Sequence, residues 1–492
     1  MVYFDDLEDY IARCEELGEV ERISGADPNL EIGAMYAING QGPDPKLFLF
    51  DEILGYPKGY RIATNTLGSR VRSRVANNVP LDINGKDLEA FMAKRLDEKH
   101  RVPVEWVTSS PLLDNVMEGN DVDVTKFPTP IWHELDAGPY IGCGSACLEL
   151  DPYEGWVNVG SYRSQTFDRN HVGLHTAHGH HGQVIRDHYF EQGLDCPVVI
   201  SLGQEPSLLV VAGAGEQWGT PELEIAGYIR GAPVKVLKGK TDVPVPAGSE
   251  LVLEGYIMHP EHEPMRVEGA FGEASGYYSH IGGHAAPVIR VDTGYYRNNP
   301  IICGQPPYKN VGGGGEGAGG GLATMKALRE AGFHDVRGVG HAGPFTVVSV
   351  HQMYAGHAKR IADWFMSGVA NRPPRMLALV DDDIDPNDPR EVFWAISTRT
   401  DPAESVYIYR NMWISPTQPR PTPEQKEVPL EHGLTLGCMV VDALKPFAWK
   451  DQFPPTNDVS QGLRDKIVDK WGEYLHLEPK QNARRAASRD TM

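Results

Sequence analysis

The chain has few cysteines, no CxxC pair and no long apolar run. Its 492 residues include only six cysteines, which are scattered. This pattern argues against a disulfide-stabilised secreted domain and predicts buried free thiols in a reducing compartment, so we expect a cytoplasmic location. The N-terminus lacks the basic and apolar segments of a signal peptide, and no run of about 18 apolar residues occurs. The sequence therefore predicts no membrane span.

Positive charge is also scarce. The formal net charge is -21, and a nucleic-acid partner requires a basic face, so nucleic acid is not expected as a partner. A local basic pocket for one phosphorylated ligand remains compatible with this balance. A hydrophobic content of 41% and a charged content of 23% are typical of a globular protein. The length predicts two to four domains of roughly 100–200 residues each.

The hydrophobic pattern divides the chain into four segments. Residues 1–110 are predicted to form an N-terminal α/β domain, because helical spacing at 4–17 precedes short apolar strands. Residues 320–450 have a βαβ-like pattern that predicts a C-terminal α/β domain. The remaining 451–492 are predicted to be a C-terminal helix and a polar tail.

The central segment, residues 111–310, alternates short β-branched runs with turn residues, which favours an antiparallel barrel or sandwich. We predict strands at 198–201, 208–212, 234–236, 250–253 and 288–291, and a helix at 221–230. In the C-terminal segment, helices are predicted at 322–331 and 352–370, strands at 344–350 and 375–380, and a helix or strand at 392–397.

Residues 158–181 contain several side chains that could bind a metal or an anion. Their first half includes Asn158, Ser161 and Arg163, and their second half holds five of the chain's 18 histidines. Imidazoles bind metals or carry protons, and guanidinium groups bind carboxylates or phosphates. His171 and His175 are four apart as in a zinc-binding helix, but nearby glycines weaken a helix and no HExxH motif is present. Most of these histidines are therefore expected to be loop or surface residues, with one or two in a metal site.

Two carboxylates, Glu268 and Glu273, flank a glycine-bearing turn. On a bent strand both could point into one cavity and push each other's pKa apart, which would leave one able to act as an acid. A surface turn with solvated acids is the simpler alternative.

Three further features allow a structural and a functional interpretation. Glu222 follows Pro221 at a predicted helix start, where an acid either stabilises the helix dipole or binds a metal. Lys359 lies either on a solvated helix face or at an anion site. The glycine-rich tract 312–321 lacks the phosphate-loop pattern and is expected to be a mobile loop.

Together and in order, these motifs resemble the UbiD family of decarboxylases, which use prenylated FMN. The resemblance extends from about residue 20 to residue 450. It is based on the stretch Asn158–Arg163, on His181, Glu222 and the Glu268–Glu273 motif, and on the segments 354–359 and 394–402. Ala270 replaces the proline usual between the two glutamates.

The resemblance implies a fold with a central split β-barrel that binds the flavin. It also implies Mn²⁺ or Mg²⁺ held by Asn158, His181 and Glu222, with His178 and His180 as alternatives to His181. The cofactor site would include these ligands with Ser161, Arg163 and Lys359, the last reaching the cofactor phosphate, and K⁺ is expected as well.

By the same resemblance, Arg163 binds the substrate carboxylate and pairs with Glu268, while Glu273 protonates the carbon after CO₂ leaves. The expected reaction is the reversible, non-oxidative decarboxylation of an aromatic, heteroaromatic or α,β-unsaturated acid. A flavin prenyltransferase would supply the cofactor, and the chain would form a homodimer or homohexamer. An FMN-dependent reductase with a split-barrel core and a non-catalytic assembly subunit are the alternatives.

Overall fold

The computed structural model describes residues 4–83, 85–97, 101–176, 179–309, 320–367, 373–414, 418–426, 434–457 and 459–475. The α-helices of these residues are α1 (Leu7–Glu16), α2 (Glu31–Gly40), α3 (Arg70–Ala76), α4 (Gly85–Asp97), α5 (His181–Phe190), α6 (Pro206–Ala214), α7 (Glu222–Arg230), α8 (Gly320–Glu330), α9 (His357–Met366), α10 (Pro389–Arg399), α11 (Pro423–Lys426) and α12 (Gln461–Leu475).

The strands are β1 (Val20–Ala26), β2 (Leu47–Ile53), β3 (Arg61–Thr64), β4 (Glu105–Trp106), β5 (Asn115–Glu118), β6 (Tyr140–Gly142), β7 (Ala146–Leu150), β8 (Val157–Gly160), β9 (Ser164–Gln165), β10 (His171–Gly173), β11 (Cys196–Leu202), β12 (Lys235–Lys238), β13 (Pro244–Pro246), β14 (Leu251–Ile257), β15 (Arg266–Glu268), β16 (Phe271–Gly272), β17 (Tyr278–Ser279), β18 (His284–Ala286), β19 (Val288–Tyr296), β20 (Ile301–Gly304), β21 (Val336–Ala342), β22 (Phe345–Val350), β23 (Met376–Asp381), β24 (Val406–Trp413) and β25 (Thr435–Ala443).

The chain forms two compact units. The first comprises the described residues of 1–81, 99–316 and 415–430, and the second comprises those of 82–98, 317–414 and 431–492. The boundary predicted near residue 110 falls inside the first unit, and α4 belongs to the second.

The first unit is built on an antiparallel sheet of order β10-β19-β14-β11-β7-β8, with β5 also paired to β19. Both faces of this sheet are buried, because alternate residues of β11 point into different cores: Val198 and Ile200 into one, Val199 into the other. The ladder itself does not close into a barrel in the described residues. Isolated bridges join Arg163 to His175 and Thr166 to Val172, which brings the chain beyond β8 next to β10.

Four of the five strands predicted in the central segment are observed, and the fifth prediction is wrong. Residues 208–212 lie in helix α6, which starts with Pro206 at its first turn and is capped by Glu205, whose carboxylate accepts from Ser207 N at 2.8 Å. The helix is buried on nearly every side, so its apolar run has no 3.6-residue period and is indistinguishable from a buried strand. The predicted helix at 221–230 is confirmed as α7.

A second sheet of the first unit has the order β1-β2-β3-β20, and α1 packs against its core. The helical spacing at 4–17 corresponds to α1, and the short apolar strands predicted after it are observed as β1 and β2. All six cysteines are buried and free, as predicted. Within the part of the chain that the structure describes, no helix has the length and apolar character that crossing a membrane requires.

The second unit is a five-stranded mixed sheet of order β21-β22-β23-β25-β24, covered by α8, α9 and α10. The helix predicted at 352–370 begins only at His357, because Gly356 has a φ of 83° and ends the preceding turn. The segment 392–397 is part of helix α10. Except for Gly320 and Gly321, the first residues of α8, the tract 312–321 lies outside the described residues.

Candidate active site

Arg163 lies just beyond the end of β8. It pairs with His175 in an antiparallel bridge and is followed by β9, which pairs with β6. Residues directly opposite each other in an antiparallel pair point to the same face. The bridge therefore places the side chains of Arg163 and His175 beside each other.

The two glutamates of the predicted motif are held by one tight turn. Glu268 ends β15, and Glu273 follows β16. The turn is fixed against the segment 133–137, because Ala137 N donates to Ala270 O at 2.9 Å and Gly272 N donates to the Asp136 carboxylate at 3.1 Å. The turn also requires glycine at 269, where a Cβ would overlap the Cβ of Ala137.

The structure brings Arg163, Glu268 and Glu273 together. Arg163 donates from Nε to Glu268 Oε1 at 2.7 Å and from Nη2 to Glu268 Oε2 at 3.2 Å, and its Nη1 donates to Glu273. The guanidinium lies 4.8 Å from the centre of the Phe271 ring, and Ser279 Oγ donates to Glu273 at 2.6 Å. A single planar cation thus bridges two carboxylates from one turn.

These side chains are buried, so the solvated surface turn does not occur. The exposed fractions are 8% for Arg163, 5% for Glu268 and 13% for Glu273. Burial would raise the pKa of Glu268, but hydrogen bonds from His175 and Arg163 and their positive charges lower it to about 2. Glu268 is therefore an anion across the physiological range, and Arg163 is held by a fixed negative charge.

The sequence did not predict three histidines beside this cluster. His175 Nδ1 lies 3.2 Å from Glu268 Oε2, and the rings of His280 and His284 are close to that of His175. His284 faces Glu268 directly in the β15–β18 pair. A hairpin interpretation of residues 266–286, with the turn residues at 274–276 and 282–283, would have placed both histidines beside Glu268.

The three predicted metal ligands occupy the start or interior of three neighbouring elements. Asn158 lies on β8, His181 is the first residue of α5, and Glu222 is the first residue of α7. Both helices pack against β8. The structure therefore gathers Asn158, His181 and Glu222 around one strand.

The chemistry of these side chains fits a divalent cation. Glu222 is buried and accepts from Val159 N, and burial raises its pKa to about 8, as expected for a carboxylate without a cation partner. Asn158 Nδ2 donates to Glu149 Oε2 at 2.8 Å, which leaves the amide oxygen as the ligand atom. Burial lowers the pKa of His181 and so favours the neutral, metal-binding imidazole.

Glu149 is a further residue that the sequence did not indicate. It is fully buried beneath Asn158, burial raises its pKa to about 7, and its Oε1 has no hydrogen-bond partner among the described residues. A carboxylate behind a ligating amide orients that amide, as outer-sphere partners commonly do. No group of three or more His, Cys, Asp or Glu side chains in the described residues is placed to hold a metal. The Asn158, His181 and Glu222 set contains only two such residues.

The alternative histidine ligands and the other predicted residues lie at different places in the chain. His178 lies outside the described residues, and His180 precedes α5 with its ring 6.2 Å from that of Tyr162. Ser161 is exposed, and its N donates to Ala212 O at 3.0 Å. Lys359 belongs to the second unit, where Nζ donates to Asp363 at 2.8 Å and to Tyr409. Its predicted contact with a cofactor phosphate stays a prediction.

Three family models match the chain, and together they cover most of it. They are the 3-octaprenyl-4-hydroxybenzoate carboxy-lyase N-terminal domain at residues 11–90, its Rift-related domain at 105–309 and its C-terminal domain at 323–443. The chain belongs to the UbiD family. As a UbiD protein it is a carboxy-lyase, and its mixed α/β fold has the N-terminal, central and C-terminal domains of that family.

Known proteins agree with this membership along the whole chain. A phenolic acid decarboxylase from Streptomyces sp. (strain D7) is 31% identical over 467 residues, covering 90% of this chain and 93% of that protein. Vanillic acid decarboxylase from Sedimentibacter hydroxybenzoicus, in its closed form, has a TM-score of 0.81 and 26% identity, covering 97% of this chain and 100% of that one. An evolved dimeric form of the UbiD-class enzyme HmfF from Pelotomaculum thermopropionicum, in complex with prFMN, has a TM-score of 0.75 and 25% identity, covering 94% and 99%.

Proposed function

We propose that this UbiD protein is a reversible, non-oxidative decarboxylase of aromatic acids that uses prenylated FMN. Two relatives named above, the Streptomyces and Sedimentibacter enzymes, are decarboxylases of phenolic and vanillic acid, which supports a hydroxylated aromatic acid as the substrate class. HmfF was solved with prFMN, which supports prenylated FMN as the cofactor.

The observation that carries the proposal is Arg163 held between Glu268 and Glu273. The reaction converts R–COO⁻ and one proton into R–H and CO₂, so the site needs a carboxylate anchor and a proton donor. Arg163 is the anchor, because its planar guanidinium can bind a substrate carboxylate through two N–H groups. Glu273, held by Arg163 and Ser279, delivers the proton to the carbon that CO₂ leaves.

The electron sink must come from a cofactor, because no side chain in this site can accept the electron pair released with CO₂. Prenylated FMN supplies that sink when bound. Asn158, His181 and Glu222 would hold Mn²⁺ or Mg²⁺, an oxygen-rich mixed site that suits such cations. Helices α5 and α7 begin beside β8 without a side-chain cap, so their first N–H groups suit the cofactor phosphate. We also propose that Lys359 binds the cofactor phosphate and that Ser161 is part of the cofactor site. A K⁺ ion would be bound as well.

Two partnerships belong to the proposal. A flavin prenyltransferase would supply the cofactor, because a prenylated flavin has to be made from FMN by transfer of a prenyl group. The HmfF form solved with prFMN is described as dimeric, which supports a homodimer, with a homohexamer as the larger alternative.

Co-expression with a flavin prenyltransferase tests the proposal. The purified holoenzyme should show an absorbance spectrum distinct from that of FMN, release CO₂ from at least one hydroxylated benzoate or cinnamate, and exchange deuterium at the carbon that bore the carboxylate. Apoprotein refilled with plain FMN is the matched control and should release no CO₂. If the FMN form oxidises NAD(P)H and the prenylated-FMN form decarboxylates no acid, the protein is instead a reductase.

A further inference from the structure

Three histidines surround Glu268 without a part in the chemistry proposed above. The ring centroids of His175 and His280 lie 5.0 Å apart, those of His280 and His284 lie 4.9 Å apart, and those of His175 and His284 lie 6.3 Å apart. Of the three, only His175 forms an ion pair with Glu268, through Nδ1 at 3.2 Å. The cluster therefore contacts the carboxylate site through one imidazole.

The position of His280 costs stability. Its φ is 51°, in the left-handed region that non-glycine residues rarely adopt, and its Nε2 is buried without a hydrogen-bond partner among the described residues. Two such costs at one residue are typical of a site retained for function. The histidines are thus part of the site and not only of its packing.

Two carboxylates share the guanidinium of Arg163 before any substrate binds. Arg163 already donates three of its five N–H groups, two to Glu268 and one to Glu273, so a substrate carboxylate competes with these glutamates for the guanidinium. Glu268 is the bidentate partner and is 5% exposed. A buried carboxylate that loses its cation pays a large penalty, so Glu268 needs a second cation at that moment.

We propose that protonated His175 is this second cation: it holds Glu268 while Arg163 turns its guanidinium toward the substrate carboxylate. His175 is thus a positioning residue that acts through Glu268, and the inference rests on the proposed function because it assumes a carboxylate ligand at Arg163. It predicts that the affinity for carboxylates depends on the charge of His175.

The groups around the three histidines favour neutral rings at His280 and His284, so that the positive charge of the cluster lies on His175. Burial, with the positive charges of His175 and Arg163, lowers the pKa of His280 to about 3 and also lowers that of His284. The other charged groups that act on the cluster are Glu268 and Arg163, with Glu273 beyond the guanidinium and Arg186 acting on His284. Two neutral imidazoles beside one charged imidazole avoid like-charge repulsion.

Benzoate binding to the holoenzyme, measured by titration calorimetry, tests this inference without requiring turnover. For the wild type, affinity should fall as the pH rises from about 6 to about 8.5, the range in which imidazole side chains generally lose their proton. The His175→Gln variant should bind benzoate about 10- to 100-fold more weakly at the lower pH, with no further fall as pH rises. His262→Gln, at an exposed histidine paired with Asp195, is the matched control and should bind as the wild type does.

A second measurement needs no variant at position 175. Nitrogen NMR of histidine-labelled wild-type holoenzyme with benzoate should show one imidazolium in the cluster, and this imidazolium should be lost in Glu268→Gln. Unchanged benzoate affinity in His175→Gln, no benzoate binding by the wild type, or a neutral His175 in the complex would each overturn the inference. If no acid tested releases CO₂, the proposed reaction is wrong, and the inference about His175 is then decided by these binding results alone.

Discussion

Arg163 and His175 are paired across an antiparallel bridge, and both side chains bind the carboxylate of Glu268. Glu268 is thus held from two sides by the two residues of one short backbone pairing. Among the basic side chains of the described residues, Arg163 alone donates a hydrogen bond to Glu273. This asymmetry separates the two glutamates: Glu268 is the fixed anion, and Glu273 is the carboxyl with fewer constraints.

Replacing the proposed proton donor should abolish most turnover. Glu273→Gln keeps the bond from Arg163 but removes the transferable proton, so kcat should fall by about 10²- to 10⁴-fold with a smaller change in KM. CO₂ release and deuterium incorporation into the product measure this. Glu261→Gln, at an exposed acid of the same unit, should leave both unchanged. Wild-type turnover by Glu273→Gln would show that another group supplies the proton.

Acid should destabilise the protein through Glu268. Its folded-state pKa is lowered from 4.5 to about 2. The stabilisation is therefore present above about pH 4.5 and is lost as the pH falls toward 2, and it is worth on the order of 3 kcal/mol. Urea unfolding at about pH 7 and about pH 3 should show a larger loss for the wild type than for Glu268→Gln, which has no carboxyl to protonate. Equal losses in the two proteins would contradict this account, and Glu261→Gln should behave as the wild type does.

Removing the charge of Glu222 should release the cation and the flavin together. Glu222→Gln preserves an oxygen that can accept from Val159 N, so the fold should survive while the metal loses an anionic ligand. Elemental analysis and flavin absorbance after gel filtration should both fall well below the wild-type ratios. Glu224→Gln, which changes an acid in the same helical turn, is the matched control. Full metal and flavin content in Glu222→Gln would remove it from the ligand set.

A methyl group at Gly269 should disturb the glutamate turn. A Cβ there would overlap that of Ala137, so Gly269→Ala must shift the turn and should cost about 1–3 kcal/mol of unfolding free energy. It should also lower kcat, because Glu268 is the preceding residue. Gly282→Ala is the control, since no atom lies within 4 Å of its added Cβ. Equal stability and activity in the two variants would show that the turn is not fixed against the segment 133–137.

Local motifs, with the family resemblance they carry, were enough to predict Arg163, Glu268 and Glu273, which meet in the structure, and Asn158, His181 and Glu222, which lie on or beside β8. They were enough because signals such as the glycine turn at 269–272 and the starts of α5 and α7 are visible within a few residues of the chain. His280 and His284 were missed because their importance depends on the pairing of β15 with β18, and strand pairing is a long-range property. Helix α6 was mistaken for a strand because burial on all sides erases the period of its apolar residues.

The position of Asn158 on strand β8 fixes which way the side chain of Arg163 points. Four residues join them, with Asn158 paired to Glu149 on β7 and Arg163 paired to His175. A one-residue insertion or deletion between them would turn either the amide or the guanidinium to the opposite face. The spacing between residues 158 and 163 is therefore fixed by the strand pairing at both ends. Libraries aimed at new substrates should vary side chains around the site and leave this count of residues intact.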